Sequence, residues 1–142
     1  MLISSKGRYA LRVMLELAQN SDGRYIPLKD ITERQNVSKK YLESIMVMLS
    51  KNGYVEAMHG KGGGYRLSME PAEYKVGDIL RLTEGTLAPV MCLEENAKPC
   101  DRADSCMTLP LWTGLNHVIS EYLDNISLED ILMKSEKVLG IL

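Results

Sequence analysis

Three thiols are the residues of this chain whose type and spacing most clearly indicate chemistry. Cys92, Cys100 and Cys106 are its only cysteines, and they lie within 15 residues of a polar, acidic stretch, separated by seven and five residues. Free cysteine is usually a small buried residue, so three thiols in a hydrophilic loop need a role other than packing. Thiolates are the soft ligands of zinc, copper(I) and iron–sulfur iron. The spacing predicts a metal or cluster site, with a redox-active thiol pair as the alternative.

A fourth ligand would have to come from outside the three cysteines, because most thiolate centres take four. The residues alone do not choose among the candidates. They are the loop carboxylates and the two imidazoles of the chain: Glu94, Glu95, Asp101, Asp104, His59 and His117.

The bulk composition sets the class of protein. With 142 residues and 45% hydrophobic content, the chain is long enough for one domain with an appendage. It has no signal-like segment and no apolar run near the roughly 20 residues that span a bilayer, so we expect a cytoplasmic protein without a membrane partner. In a reducing cytosol, clustered cysteines are more typical of metal ligands than of disulfides. No nucleophile–base pair or carboxylate pair stands out, which argues against an enzyme.

The net charge of −2 hides an asymmetry between the two halves. Residues 1–66 carry 11 basic and 6 acidic side chains, whereas residues 67–142 carry 6 and 13. The first half is therefore at +5 and the second at −7. Because binding to a polyanion depends on the face presented, the first half is the candidate for contact with nucleic acid.

Helical periodicity and capping residues predict a helix-turn-helix in that basic half. Apolar residues recur at helical spacing over residues 4–20, and a short helix follows over residues 28–35. Ser38 is placed to cap a third helix that runs to residue 52, and Gly53 to end it. Two short helices separated by three or four residues are typical of this DNA-binding motif.

A glycine-rich hairpin follows directly. Residues 54–59 and 65–68 are predicted strands, and residues 60–64 between them include four glycines. A phosphate-binding glycine loop would need a helix after the glycines, and here a strand follows. The pattern predicts a mainly α fold with a small β-hairpin wing, a winged helix-turn-helix.

The remainder of the chain reads as a short helix over residues 76–84, the cysteine loop, a long helix to residue 125 and a tail helix over residues 127–138. The long helix carries too broad an apolar stripe for a small domain to bury alone, which favours pairing with a second copy in a homodimer. We therefore predict a DNA-binding domain over residues 1–85, a cysteine loop over 86–108 and a dimerisation region over 109–142. The predicted dimer contacts are Leu111, Leu115, Val118, Ile119 and Tyr122.

The start of the third helix carries the side chains that suit base reading. Lysine bonds guanine edges or phosphate, serine does either, and a carboxylate accepts from cytosine N4. Glu43 is the most discriminating of these, because a carboxylate near phosphates is repelled unless it finds such a donor. Basic residues at the chain start and on the wing are placed for phosphate or minor-groove contact. Together the candidates are Ser5, Lys6, Arg8, Ser38, Lys39, Lys40, Glu43, Lys61 and Arg66.

Several motifs resemble the IscR/NsrR/CymR family of bacterial winged-helix regulators, with its iron–sulfur-responsive branch the nearest. They are Ser5-Lys-Gly-Arg-Tyr-Ala10, the stretch over residues 27–35, Tyr41-Leu-Glu43, Gly62-Gly-Gly-Tyr65 and Cys106-Met-Thr-Leu-Pro-Leu-Trp112. The resemblance covers nearly the whole chain. It implies a homodimeric repressor or activator on double-stranded palindromic operator DNA, adds Tyr41 to the DNA-contacting set, and implies an iron–sulfur cluster of the two-iron, two-sulfur type on the three cysteines.

The chain also departs from that family. Members with a cluster carry a histidine three residues after the last cysteine or an aspartate near the N-terminus, where this chain has Leu109 and Arg8. The gap between the first two cysteines is longer than usual. The fourth ligand therefore stays open, and so do two other modes of control: a zinc- or thiol-redox-sensing regulator, and one governed by a regulatory protein partner, as in CymR-type members.

Overall fold

A computed structural model of the chain describes residues 2–139, and three helices open it. They are α1 (Ser5–Gln19), α2 (Leu28–Gln35) and α3 (Lys39–Lys51). Ser4 caps α1 by accepting from the Gly7 N–H, and Ser38 caps α3 by accepting from the Tyr41 N–H. Asn36 ends α2 in a left-handed conformation (φ 51°), which short polar side chains tolerate, and the chain turns there into α3. The predicted helix-turn-helix is confirmed.

The apolar faces of these helices form the main core. Burial of each large aliphatic side chain stabilises the fold by roughly 1.5–3 kcal/mol. The residues that α1, α2 and α3 contribute, all at most 2% exposed, are Ala10, Val13, Met14, Leu17, Ile31, Leu42, Ile45, Met46 and Leu49.

The predicted wing is an antiparallel hairpin of β1 (Val55–Met58) and β2 (Gly64–Leu67). An unpredicted bridge extends it, because Ile26 pairs with Tyr65 through two backbone hydrogen bonds of 2.8 and 2.9 Å. Gly64 permits this approach: its φ is +149°, and a β-carbon there would lie 2.2 Å from the Ile26 carbonyl oxygen. The wing is thereby fixed to the segment that enters α2.

A buried tyrosine joins the wing to α4 (Val76–Glu84). Tyr74 is 1% exposed, and its hydroxyl donates to the Tyr54 carbonyl (2.7 Å) and accepts from the N–H groups of Ser68 and Met69 (2.9 and 3.0 Å). Three backbone groups at the end of the wing thus find their partner in one side chain.

The C-terminal part contains α5 (Leu109–Asp124), α6 (Leu128–Leu132) and α7 (Glu136–Leu139). The prediction of one tail helix over residues 127–138 is wrong, because Lys134 adopts φ 50° and interrupts it. The interruption is satisfied locally: the Ser135 N–H donates to the Asp130 carbonyl, and the Ser135 hydroxyl accepts from the Lys137 N–H. Short 3₁₀ turns at Pro71–Glu73, Met91–Leu93 and Ala103–Ser105 were also not predicted.

The segment before α6 returns to the main body. The Val76 N–H donates to the Ile126 carbonyl (2.9 Å), the Leu128 N–H donates to the Tyr74 carbonyl (3.1 Å), and Leu128 is fully buried in the main core. The three-part division of the chain stays a prediction, and these contacts join its first part to its third.

Among residues 2–139, no helix combines the length and apolar character needed to cross a bilayer.

Candidate nucleic-acid interface and cysteine loop

The first turns of α3 present polar side chains to solvent while the opposite face is held in the core. Lys39, Lys40 and Glu43 are exposed, and Lys39 Nζ lies 3.8 Å from Glu43 Oε1. Ser38 is exposed and uses its hydroxyl oxygen to cap the helix (3.2 Å to the Tyr41 N). A hydroxyl that accepts in this way still has a proton to donate, so capping does not exclude a contact with DNA.

Aromatic packing fixes α3 against α1. Tyr41 is half-buried and meets the ring of Tyr9 edge to face, with centroids 5.8 Å apart. The guanidinium of Arg12 lies 5.2 Å from the centroid of the Tyr9 ring. The structure thus gives Tyr41 a packing contact beside the role that the resemblance implies, and it places the basic side chain of Arg12 against the same pair of rings.

The start of α1 and the wing supply the other basic candidates. Ser5 and Arg8 are exposed, with Arg8 Nη2 donating to Ser5 Oγ (3.1 Å), while Lys6 is half-buried and Lys61 is exposed at the wing tip. Arg66 is engaged within the fold: its Nε donates to Glu56 (2.8 Å), its Nη1 donates to the Gly23 carbonyl (3.0 Å), and its guanidinium lies 4.4 Å from the Tyr25 ring centroid. The hydrogen bond and charge of Glu56 raise the pKa of Arg66 further, so that group stays charged.

Sequence reasoning missed a buried carboxylate that ties α2 to α1. Glu16 is 6% exposed and accepts from Arg34 (3.2 Å) and Gln35 (2.7 Å). The available signal was a charged residue within the apolar stripe of α1, between Val13 and Leu17. Its partners Arg34 and Gln35 hold α2, the first helix of the motif, against α1.

The structure places the three cysteines separately along the loop between α4 and α5. Cys92 lies in the 3₁₀ turn Met91–Leu93, Cys100 precedes a turn, and Cys106 follows the 3₁₀ turn Ala103–Ser105. All three are free thiols, Cys92 and Cys100 exposed and Cys106 half-buried. Within residues 2–139, no three His, Cys, Asp or Glu side chains stand close enough together to hold a metal ion.

Cys106 differs from the other two in its surroundings. Its sulfur lies 3.5 Å from the Thr108 hydroxyl at the start of α5. This hydrogen bond, together with the N–H groups of Thr108 and Leu109 and the charge of Arg102, lowers the pKa of the Cys106 thiol. A lowered pKa favours the thiolate, which is the form that binds metals and reacts with oxidants.

The candidate fourth ligands are spread over the molecule. Glu94 and Glu95 line a cavity of about 480 Å³ between the end of α4, the loop and α5. His59 is on the wing, far along the chain from the loop, and His117 is exposed on α5 with Nε2 3.4 Å from Glu121. Asp101 and Asp104 are exposed in the loop.

The apolar stripe of α5 divides between two faces. Ile119 and Tyr122 pack on a second core cluster with Val76 and Leu80, and the Tyr122 hydroxyl donates to the Val138 carbonyl (2.8 Å). On the other face, Leu111, Leu115 and Val118 are 63%, 41% and 56% exposed. Of the five predicted dimer contacts, three are free to meet a partner and two already serve this chain's own core.

The comparison with protein families agrees with this architecture. The sequence profile of Rrf2, described as an iron-dependent transcriptional regulator, matches residues 3–134. The chain belongs to the Rrf2 family.

Individual relatives are similar over most of their length. The HTH-type transcriptional regulator IscR of Escherichia coli O1:K1 is 36% identical over 141 residues, which are 99% of this chain and 85% of the relative. CymR, the global cysteine regulator of B. subtilis, superposes with a TM-score of 0.77 at 36% identity, covering 95% of this chain and 98% of CymR. IscR of T. potens superposes with a TM-score of 0.74 at 36% identity, covering 94% and 88%.

These findings confirm the predicted family and fold class. The chain is an IscR-like transcription regulator of a DNA-binding winged-helix family, and its relatives are regulators rather than enzymes. Base reading by the polar start of α3 stays a prediction.

Proposed function

We propose that this Rrf2 member is a homodimeric regulator whose affinity for a palindromic operator is set by an iron–sulfur cluster on Cys92, Cys100 and Cys106, controlling genes of iron–sulfur, iron or redox homeostasis. The observation that carries the proposal is the set of three free, solvent-accessible thiols in one loop between α4 and α5 of a winged helix-turn-helix.

The donor set fits such a group chemically. All three ligands are sulfurs, and the seven- and five-residue spacers are long enough for them to meet, because an extended chain spans about 3.3–3.6 Å per residue. They do not converge as they stand, so binding requires the loop to rearrange. When bound, an iron–sulfur cluster supplies a centre whose assembly and loss follow the supply of iron and the redox conditions.

Dimerisation and DNA contact would depend on other residues of this chain. The exposed face of Leu111, Leu115 and Val118 supports pairing of two copies about a two-fold axis, which matches a palindromic site. In each copy Lys39, Lys40 and Glu43 would face base edges, while Ser5, Arg8 and Lys61 would contact phosphates. Two copies held in one geometry would fix the spacing of the half-sites.

One observation favours a second mode of control. The lowered pKa of Cys106 and the exposure of Cys92 and Cys100 suit thiol oxidation as well as metal binding. A thiol sensor would be colourless and would respond reversibly to oxidants and thiol reductants, so the two modes are separable in one preparation.

The test starts with protein purified without oxygen, beside Cys100→Ala. We expect visible absorption with equimolar iron and sulfide, and loss of both in the variant. Operator affinity of loaded and cluster-free protein is then measured on a duplex that the protein selects from a random-sequence pool. A preparation that stays colourless after cluster reconstitution would exclude the cluster and leave the thiol sensor.

The DNA contact is tested in the same titrations with Lys40→Ala. We expect affinity to fall about tenfold and the slope of log affinity against log salt to shrink by about one, because one phosphate- or base-bonding cation is lost. Lys51→Ala removes the same charge from the last turn of α3 and serves as the matched control. Equal losses in both variants would contradict base reading by the start of α3.

A further inference from the structure

The start of α1 is held by the last residue of α4. Glu84 Oε1 accepts from the Ser4 N–H (3.2 Å) and from the Ser4 hydroxyl (2.7 Å). The same Ser4 oxygen accepts from the Gly7 N–H (3.3 Å) and so caps α1. One carboxylate therefore positions the cap of the helix that carries Ser5 and Arg8.

The contact leaves no room for a β-carbon at residue 7 unless the Glu84 carboxylate moves. A β-carbon on Gly7 would lie 2.3 Å from Glu84 Oε1 and 3.1 Å from the Thr83 hydroxyl oxygen, and Gly7 is buried. The first turn of α1 thus rests directly on the last turn of α4. A displacement of the Glu84 carboxylate would remove both hydrogen bonds that it accepts from Ser4.

The other side of Glu84 faces the cysteine loop. Gly85 ends α4 and the loop begins at the next residue. Glu84 lines both the 480 Å³ cavity and a second one of about 280 Å³ that reaches Leu2 and Ile3. Among the described residues outside the loop, Glu84 alone lines both. These cavities lie along loop residues 86–96, so they give that segment room to rearrange against Glu84.

Arg81, one turn earlier, fixes the same helix end to α5. It donates to both carboxylate oxygens of Asp124 (2.7 and 3.0 Å) and lies 3.6 Å from Asp78. The last turn of α4 is therefore tied to α5 through Arg81 and to α1 through Glu84. The cysteine loop thus begins next to a helix end that contacts the start of α1 through Glu84.

We infer that Glu84 is a positioning residue that transmits the arrangement of the cysteine loop to the start of α1, and through Ser4 to Ser5, Lys6 and Arg8. The inference deepens the proposed function and rests on it for the biological signal. Coupling between sites in regulators typically changes affinity by 5- to 150-fold. The ratio of operator affinities between loaded and cluster-free protein is the quantity that Glu84 should govern.

The first arm of the test compares that ratio in wild type, Glu84→Ala and Glu84→Gln. In Glu84→Ala we expect an unchanged cluster spectrum and a ratio near one. Glu84→Gln keeps an oxygen that accepts both Ser4 bonds, so it should retain most of the wild-type ratio. Glu129→Ala removes a charge from an exposed site on α6 and is the control. A wild-type ratio in a folded Glu84→Ala protein would overturn the inference.

The second arm needs no cluster and separates the two hypotheses. Loop thiols of cluster-free protein are alkylated with iodoacetamide, and amide hydrogen exchange is followed at Gly7 and Arg8. We expect alkylation to change exchange there in wild type and not in Glu84→Ala. No change in wild type would overturn the inference. If alkylation changes exchange at Gly7 and Arg8 but the protein never binds a cluster, Glu84 remains the link between the loop and α1. That result would refute the proposed function and leave the inference standing.

Discussion

The helix-turn-helix half of the chain, here residues 1–85, and the cysteine-loop half, residues 86–139, make opposite use of their apolar side chains. In α3, Leu42, Ile45 and Leu49 are fully buried against α1 and the wing. In α5, all of which lies within the described residues, no residue is buried, and Leu111 is 63% exposed. The first half completes its core within one chain, whereas the second leaves an apolar face for another surface to cover.

The polar groups show the same contrast. The buried carboxylate of Glu16 accepts from Arg34 and Gln35, and the Tyr74 hydroxyl bonds three backbone groups. Among the described residues, no buried side-chain polar atom lacks a hydrogen-bond partner. The thiols of Cys92 and Cys100 face solvent in a loop of short 3₁₀ turns. A well-packed helix-turn-helix beside an exposed loop suits the proposed sensor, because elements that move come from the less stable parts of a fold.

The largest expected effect is on dimerisation through the exposed apolar face of α5. Leu115→Asp places a charge in the exposed apolar face, and we expect the dimer dissociation constant to rise at least about a hundredfold, roughly 3 kcal/mol, because a charge would be desolvated without a partner. Sedimentation at several concentrations measures it. Met133→Asp, at a 72% exposed apolar site after α6, is the control and should stay dimeric. A monomeric wild type, or equal dissociation of both variants, would contradict dimerisation through this face.

The two halves also differ in how far their sequence predicts their structure. Caps and periodicity located α1, α2, α3 and α4 because local signals and tertiary packing agree there. The Ile26 bridge to the wing, the Glu16 contacts and the Ser4–Glu84 pair were not predictable, since each joins residues distant in sequence. The break at Lys134 was missed for a related reason: the Ser127–Asp130 capping box marks where α6 starts and carries no signal for where it ends.

The candidate site divides in the same way. The exposed start of α3 followed from its cap and its apolar face, both local. The arrangement of Cys92, Cys100 and Cys106 did not follow, because spacing shows that three sulfurs are able to meet and does not show that they do. Likewise the stripe on α5 predicted an unsatisfied face but could not assign Ile119 and Tyr122 to this chain's own second core cluster.

Tyr74→Phe tests how much the hydrogen bonds of the Tyr74 hydroxyl stabilise the first half. Without the hydroxyl, the Tyr54 carbonyl and the N–H groups of Ser68 and Met69 lose their partner, which should cost about 2 kcal/mol of the free energy of unfolding. Urea denaturation measures it. Tyr54→Phe removes a hydroxyl from the neighbouring ring, 5.9 Å away between centroids, and should change stability by less than about 0.5 kcal/mol. Similar small losses in both would show that the network contributes little.

The same residue gives an alkaline signature. Burial, its largest cause, raises the pKa of Tyr74, which favours the neutral phenol in the folded state. The corresponding stability is fully present below the unfolded pKa near 10 and is lost as the pH rises through the higher folded value. Above about pH 10, the free energy of unfolding of Tyr74→Phe should therefore fall less steeply with pH than that of wild type. If the two fell in parallel, ionisation of Tyr74 would not be the cause.

The smallest expected effect lies in the capping box of α6, where the C-terminal segment packs against the main core of the first half. Asp130 accepts from the Ser127 N–H (2.9 Å) and hydroxyl (3.0 Å), and Ser127 Oγ accepts from the Asp130 N–H (3.0 Å). Asp130→Ala should cost about 1 kcal/mol at neutral pH, the usual worth of a cap. Glu129→Ala, one residue earlier and exposed, should cost less than half of that.

The pH dependence of this loss identifies its cause. The hydrogen bonds from Ser127, followed by the charges of Lys137 and Lys75, lower the pKa of Asp130 from its ordinary value of 3.8. Stability from such a group is present above the unfolded pKa and disappears as the pH falls through the folded pKa. The gap between wild type and Asp130→Ala in urea midpoint should hold from neutral pH down to about 5 and narrow below 3.8. If the difference in urea midpoint stayed constant in acid, Asp130 would stabilise the start of α6 by packing rather than by its charge. The attachment of this segment to the main core would then depend on the buried side chain of Leu128.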